Sequence, residues 1–290
     1  MKPVAVLVTH RPDMFALETN IAALAPQVAG LVLVDNGSDA AGLKPLLARL
    51  DLPVRSLFWP ENRGIAAAQN AGIAAVRGMG ADTVLLMDQD SRAAPDMVAA
   101  LLAGLAARRG DRPAAIGPAY AEPHRGAGAG LPPGEVSGRV ADDVTEMPAL
   151  IASGCLIPLA VFDAVGPFDA GLFIDHVDTE WCFRARAAGY RCFAARAARM
   201  DHRIGAGTLR VAGAVRTVHG PDRMYYQLRN LLLLARRPTT PRGWLWRRLA
   251  RTAARSLVLT LAVPPRRARL RAVARGLRDG LRGRSGSYGS

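Results

Sequence analysis

Residues 82–90 read Asp82-Thr83-Val84-Leu85-Leu86-Met87-Asp88-Gln89-Asp90. The apolar run is too short for a typical helix, and it lacks the alternation of a strand wetted on one face. It fits a strand buried on both faces, as in a parallel sheet covered by its crossover helices. The same logic extends in both directions. Residues 95–109 have helical spacing, with Pro95 near the first turn. Residues 65–77 form an Ala-rich helix that stops at Gly78, and residues 53–59 read as a strand. Residues 30–34 form another strand, closed by the turn Asp35-Asn36-Gly37-Ser38-Asp39. Residues 14–24 are helical in spacing, and residues 4–8 are an apolar, β-branched first strand. Strand–helix alternation with fully apolar strands predicts an α/β fold, with a mostly parallel, Rossmann-like central sheet flanked by helices.

The second half is less regular. Residues 124–138 are rich in Gly and Pro and read as a loop, and residues 147–158 return to an ordered apolar segment. Residues 178–188 read as a helix ending at Gly189, residues 203–220 as a glycine-dotted loop, and residues 225–235 as a helix. There is no internal repeat.

The chain of 290 residues, half of them apolar, is enough for one sizeable core with a small appendage. Cys155, Cys182 and Cys192 are odd in number and lack zinc spacing, which predicts buried thiols in a reducing cytosol. The first residues are too short an apolar run for a signal peptide, and no apolar stretch is long enough to span a bilayer. The net charge of +14 is concentrated in the tail. Residues 236–284 hold fifteen Arg and one acid, Asp279, and the remainder balances 23 basic against 23 acidic residues. The expected organisation is a neutral domain over 1–235 and an Arg-rich, helical tail over 236–290 with a disordered end. Such a tail implies a polyanionic partner.

Ligands of open α/β sheets bind beyond the carboxyl ends of the strands. Three predicted strand ends carry polar residues there: Thr9-His10, Asp35-Asn36 and Asp88-Gln89-Asp90. Two carboxylates two apart in a turn can hold one hard cation, Mg²⁺ or Mn²⁺, or can be a solvated turn. Asp35 can accept from a base or ribose, or can close an Asx-turn. Glu61-Asn62-Arg63-Gly64 leads into the Ala-rich helix, whose N-terminus suits phosphate or simply packs tightly. Residues 175–181 crowd Asp175, Asp178 and Glu180 together. Asp178 stands where a helix begins, either as a base with a raised pKa or as a cap. Glu180 is spaced to pair with Arg184. His202 is a metal ligand or a structural histidine. Arg229 and Asn230, in an apolar helix, pair internally or face a phosphate.

Taken in order, these stretches resemble the family 2 glycosyltransferases with the GT-A fold, particularly their bacterial rhamnosyltransferase branch. The resemblance rests on residues 6–13, 34–39, 61–64 with Asn70, 87–91, 153–155, 173–184 and 229–230, and spans about residues 3 to 235. It implies a nucleotide pocket lined by Thr9, Asp35 and Asn62, with Asp35 on the base. Asn70, Asp88 and Arg229 complete the nucleotide-sugar contacts it implies. It implies a metal site of Asp88, Asp90 and His202 holding Mg²⁺ or Mn²⁺, and Asp178 as catalytic base. Val177 stands where many relatives carry Glu, which keeps Asp175 and Glu180 as rivals for that role.

The function implied is inverting transfer of a sugar from a nucleotide-diphosphate donor to a glycan or lipid-linked acceptor in cell-surface polysaccharide synthesis. The resemblance points to dTDP-rhamnose, with UDP- or GDP-sugars as alternatives. A sugar nucleotidyltransferase would need glycines where Thr9-His10-Arg11-Pro12 stands. A non-enzymatic polyanion-binding protein would explain the tail but not the carboxylate rim. On a helical wheel, Leu245, Trp246, Leu249, Ala253 and Leu257 oppose Arg247, Arg248, Arg251 and Arg255, and residues 267–282 repeat the pattern. That composition predicts an interfacial helix pair on an anionic membrane surface, at the cytoplasmic inner face of the cell membrane. The alternative is packing of these helices on the body. Nucleic acid is not expected as a partner, because stacking aromatics are few beyond Trp244 and Trp246.

Overall fold

The structure is a computed structural model. It describes residues 3–121, 143–202, 208–211, 214–217 and 220–288, with the backbone alone for residues 119–121, 202, 208–211 and 214–217. The first half alternates as patterned, with one short helix, α2, that was not expected: β1 (Val4–Thr9), α1 (Met14–Leu24), β2 (Gly30–Asn36), α2 (Leu43–Ala48), β3 (Val54–Trp59), α3 (Ile65–Arg77) and β4 (Thr83–Asp88). The four strands run parallel in the order β3-β2-β1-β4. Alternate residues of β1 serve two cores. Val4, Val6 and Val8 pack with Ala66, Ala68, Ile73 and Val76 of α3. Ala5 and Leu7 pack with Leu17 and Ile21 of α1 on the other face. Burial on both faces is why the strands read as continuous apolar runs.

Beyond β4 the sheet becomes mixed. The chain continues through β5 (Ser91–Ala93), α4 (Met97–Ala107), β6 (Pro113–Ala121), β7 (Val144–Met147), β8 (Leu156–Pro158), α5 (Leu159–Val165), α6 (Val177–Ala187) and β9 (Arg191–His202). β8 lies antiparallel between β4 and β6, β9 runs parallel to β6, and β5 and β7 pair antiparallel with β9. The parallel expectation therefore describes the first four strands. Residues 203–220, expected as a loop, contain a hairpin, β10 (Thr208–Val211) and β11 (Ala214–Thr217). The glycines around these short strands obscured their β-branched content. The loop expected over 124–138 lies outside the described residues.

Three helices complete the chain: α7 (Pro221–Leu234), α8 (Arg242–Ala262) and α9 (Arg266–Leu281). α9 lies so close on α7 that a Cβ at Gly276 would sit 2.7 Å from the Tyr225 carbonyl oxygen. α8 is seated through buried Leu245, Thr252, Ser256 and Leu259. Beside them Trp244 packs edge-on to Phe183, with ring centroids 5.0 Å apart. The tail thus folds onto the body of the protein. Its end, expected to be disordered, is held through residue 288: Gly286 N–H donates to Gly171 O at 2.8 Å and Tyr288 N–H to Tyr226 Oη at 2.6 Å. Cys155, Cys182 and Cys192 are free and buried. Among the described residues, no helix is long and apolar enough to cross a membrane.

Candidate active site

The carboxyl ends of β1, β2 and β4 open on a cavity of about 590 Å³. At β1 and β2 the buried pair Thr9 and Asp35 shapes the rim from behind. Thr9 Oγ1 donates to Asp35 Oδ1 at 2.8 Å, and the Ser38 amide takes Oδ2 at 2.8 Å. Both residues are fully buried. The cavity wall in front of them is His10, Asn36 and Asn62. Asn36 Nδ2 donates to Asn62 Oδ1 at 3.0 Å, and Asn36 Oδ1 accepts from the Arg63 amide at 2.8 Å. His10 is fixed by Gln89, whose Oε1 accepts from the His10 amide at 2.7 Å. The residue between the two acidic positions therefore ties the first rim to the third.

Asp88 ends β4 at the cavity floor, with Asp90 beyond it at the exposed turn. Burial, then the charges of Asp90 and Asp178, push the Asp88 carboxyl up to about 7, while Arg223 opposes the shift. A cation placed beside crowded carboxylates favours their charged form. Among the described residues no third His, Cys, Asp or Glu joins them to complete a protein-only metal cluster. Backbone register does bring residue 202 to the same place, since His202 pairs with Ser91, the residue after Asp90.

Across the cavity, the backbone turns sharply into α6. Phe173, Asp175 and His176 all take positive φ, at 64°, 66° and 65°. Such backbone is uncommon for these residue types and must be held by its surroundings. Arg229 and Asn230 of α7 provide the hold. Arg229 is fully buried between the rings of Tyr225 and Tyr226 and donates to the carbonyls of Gly171, Leu172 and Gly286. Asn230 Nδ2 donates to the carbonyls of Leu172, Ile174 and Asp175 at 2.8–2.9 Å. Arg229 therefore builds the turn and does not line the cavity, which replaces the nucleotide contact expected of it. Asn70 is likewise internal: its amide exchanges two hydrogen bonds with the Phe168 backbone, at 2.8 and 3.0 Å.

The three carboxylates of this turn have different fates. Glu180 is buried against Arg184 and Arg237. Asp175 has both oxygens 3.2 Å from Arg223 Nε. Asp178 lines the cavity and is held by neutral donors: Oδ2 accepts from the Ala152 amide at 3.2 Å and Oδ1 from the Thr179 amide at 2.7 Å. Burial raises its pKa, against the pull of those donors. His176 is buried beside them, and desolvation first, then Arg248 and Arg223, press its pKa down to about 3. It is a neutral imidazole.

Several cavity residues escaped the reading of the sequence. His10 and Gln89 were read only as members of polar strand ends, with no role of their own, and Arg223 lies six residues before Arg229, the nearest position singled out. Arg248, Arg251 and Arg255 line the cavity from α8. Their spacing on one helical face with Thr252 was visible, but that face was assigned to a membrane surface.

Comparisons with known proteins bear on the family and the fold. The glycosyl transferase family 2 model matches residues 16–120. The dTDP-rhamnosyl transferase RfbF of Shigella flexneri is 30% identical over 244 residues, covering 82% of this chain and 81% of that protein. Among solved structures, S. aureus TarS 1–349 in complex with UDP-GlcNAc has a TM-score of 0.60 at 14% identity, covering 98% of this chain and 81% of that chain. GalNAc-T7 with UDP, GalNAc and Mn²⁺ has a TM-score of 0.61 at 15% identity, covering 91% of this chain but 58% of that one. At such identities the structural likeness establishes the fold, which is GT-A.

Proposed function

Because the chain belongs to glycosyl transferase family 2, we propose that it is a metal-dependent, inverting glycosyltransferase that moves L-rhamnose from dTDP-rhamnose to a glycan or lipid-linked acceptor of cell-surface polysaccharide. The donor assignment rests on the dTDP-rhamnosyl transferase relative. The observation that carries the mechanism is the sorting of carboxylates around one cavity. Asp175 and Glu180 are engaged by arginines, whereas Asp178 faces the cavity without a cation partner among the described residues.

In this reading the nucleotide lies along the rim of His10, Asn36 and Asn62, with Thr9 and Asp35 shaping the pocket behind. Asp88 and Asp90 would hold a divalent ion, with His202 beside them. Their crowded carboxylates and hard oxygen donors fit Mg²⁺ or Mn²⁺. When bound, such an ion neutralises charge building on the leaving diphosphate. Asp178 accepts the proton of the acceptor hydroxyl as that oxygen bonds to the anomeric carbon and the bond to the diphosphate breaks. One displacement on the face opposite the leaving group inverts the configuration.

The exposed faces of the tail support work at an anionic membrane surface, the cytoplasmic inner face of the cell membrane. On α8, Trp246, Leu257 and Leu261 share one stripe and are 62–66% exposed. On α9, Leu270, Leu277 and Leu281 share another, 41–66% exposed. Arg247, Arg267, Arg271, Arg275, Arg278 and Arg282 flank them, and an exposed apolar stripe edged by arginine is the composition of an interfacial helix.

The test is a transfer and hydrolysis screen of the full chain with dTDP-rhamnose, UDP-sugars and GDP-sugars, with Mn²⁺, Mg²⁺ or chelator. Turnover of dTDP-rhamnose, its loss on chelation, and sharply weaker nucleotide binding by Asp90→Ala are expected. NMR of the early product should show an inverted anomer. Full activity in chelator together with unimpaired Asp90→Ala, or a retained anomer, refutes the reading.

A further inference from the structure

Three arginines of α8 face the cavity at positions i, i+3 and i+7: Arg248, Arg251 and Arg255. Thr252, on the same face, also lines it. The helix is seated on the body by Leu245, Thr252, Ser256 and Leu259, so this wall has a fixed position. Arg248 lies close enough to Asp175 and His176 to favour the carboxylate and to oppose protonation of the imidazole. Asp175 itself is taken by Arg223. No carboxylate within ion-pair reach of Arg248 or Arg251 is found among the described residues.

We infer that Arg248, Arg251 and Arg255 form a subsite for a phosphate or diphosphate group carried by the acceptor. The inference rests on the proposed transferase reading, and it specifies the acceptor class. Arg248 lies beside Asp175 and His176, and all three arginines line the same cavity as Asp178, the residue proposed as the base. The base must touch the acceptor hydroxyl, so charge placed beside it serves what enters on that side. The donor diphosphate has its own place at Asp88 and Asp90, on the floor. A neutral sugar hydroxyl can accept from a guanidinium but offsets none of its charge, whereas the forked donors match phosphate oxygens in both charge and geometry. The arrangement of α8 adds a second, independent constraint. One face lines the cavity, and a different face carries the exposed Trp246, Leu257 and Leu261. An acceptor whose apolar chain stays at a surface and whose phosphate reaches the cavity fits both faces of one helix.

The experiment is a binding titration of the full chain with farnesyl diphosphate, with farnesol as the phosphate-free control. Each is run with and without saturating dTDP and Mn²⁺. Farnesyl diphosphate should bind in both settings, farnesol far more weakly. The double variant Arg248→Gln/Arg251→Gln should weaken farnesyl diphosphate at least tenfold while dTDP affinity changes less than twofold. If the double variant does not fold, exposed Arg251→Glu alone should give the same direction. The inference is overturned if the wild-type chain does not bind farnesyl diphosphate, or if farnesol binds as tightly. It is also overturned if the variants leave binding unchanged, or if dTDP affinity falls in parallel, which would give these arginines to the donor. Failure of wild-type chain to bind dTDP refutes the donor reading separately, and the nucleotide-free arm still reads the subsite.

Discussion

Asp178 and Asp88 are tied to consecutive residues of one short segment. The Ala152 amide donates to Asp178 Oδ2 at 3.2 Å, and the Ser153 hydroxyl accepts from the Asp88 amide at 3.1 Å. Ser153 also bonds Ser91 at 2.8 Å, beyond Asp90. The carboxylate proposed as the base and the end of the strand proposed to hold the metal are therefore positioned by two consecutive residues.

Asp178→Asn keeps the size of the side chain and removes the proton acceptor. Transfer should fall about a hundredfold or more, the usual scale for a lost general base, with nucleotide binding retained. Because burial raises the Asp178 pKa, transfer in the parent should decline on acidification from a higher pH than an ordinary carboxylate would give. Stopped assays of initial rate against pH check both points. Near-normal transfer by the variant would move the role to Asp175 or Glu180.

Arg229→Met should weaken the fold and leave nucleotide contacts intact. The change strands buried carbonyls of Gly171, Leu172 and Gly286, and removes the cation between two tyrosine rings. A loss on the order of 3 kcal/mol is expected from the unsatisfied acceptors. Denaturant midpoints measure it. A variant of parental stability that fails to bind nucleotide would return Arg229 to the substrate.

His176 gives a signed pH effect on stability. Its folded pKa is about 3, against an ordinary value of 6.5. Between these values the unfolded chain takes up a proton that the folded chain excludes. Stability should therefore fall on acidification through that window, by at most about 1.4 kcal/mol per pH unit. Asp88, Asp175 and Asp178, all raised, act in the opposite sense. The comparison that isolates the histidine is His176→Asn, since Asn tolerates the φ of 65° found there. On acidification from pH 6.5 to 4 the variant should gain stability relative to the parent, whatever the net slope that the carboxylates set; parallel curves would contradict the assignment.

Surface binding should reside in the exposed stripes and not in bulk charge alone. The full chain should float with vesicles rich in anionic lipid at moderate salt. Leu257→Glu/Leu261→Glu/Leu277→Glu alters only exposed positions and should cut the bound fraction about tenfold, given the lost apolar burial and the added repulsion. Equal flotation of parent and variant would leave the stripes without that role. Truncation after residue 236 removes the cavity wall as well, so it should lose transfer as well as flotation.

The parallel half of the fold was legible because its strands are apolar on both faces and its helices begin and end at strong signals. Asp13 is one: its side chain accepts from the amides of Phe15 and Ala16 at the start of α1. β9 was not legible, since Arg191–His202 mixes Arg and Ala without a clean period and pairs mainly with distant strands. At the site, strand-end residues could be read from local pattern. The difference between Asp175 and Asp178 could not, because it depends on Arg223, 48 residues away. Arg229 was visible as an unusual polar residue in an apolar helix and Asn70 only through the family resemblance, and the partners of both are backbone groups that no side-chain pattern announces.

Gly64, just before α3, has φ +88°, and a Cβ built there would sit 2.7 Å from the Phe173 carbonyl oxygen. The next amide, Ile65 N–H, donates to that same oxygen at 2.8 Å. The rim proposed for the nucleotide and the turn bearing Asp178 therefore meet backbone to backbone, with no rotamer between them. Side chains elsewhere around the cavity can be exchanged to admit a different sugar or a different base without changing that spacing. Substitutions at the rim can therefore change what the cavity admits while the spacing of rim and turn stays set by the main chain.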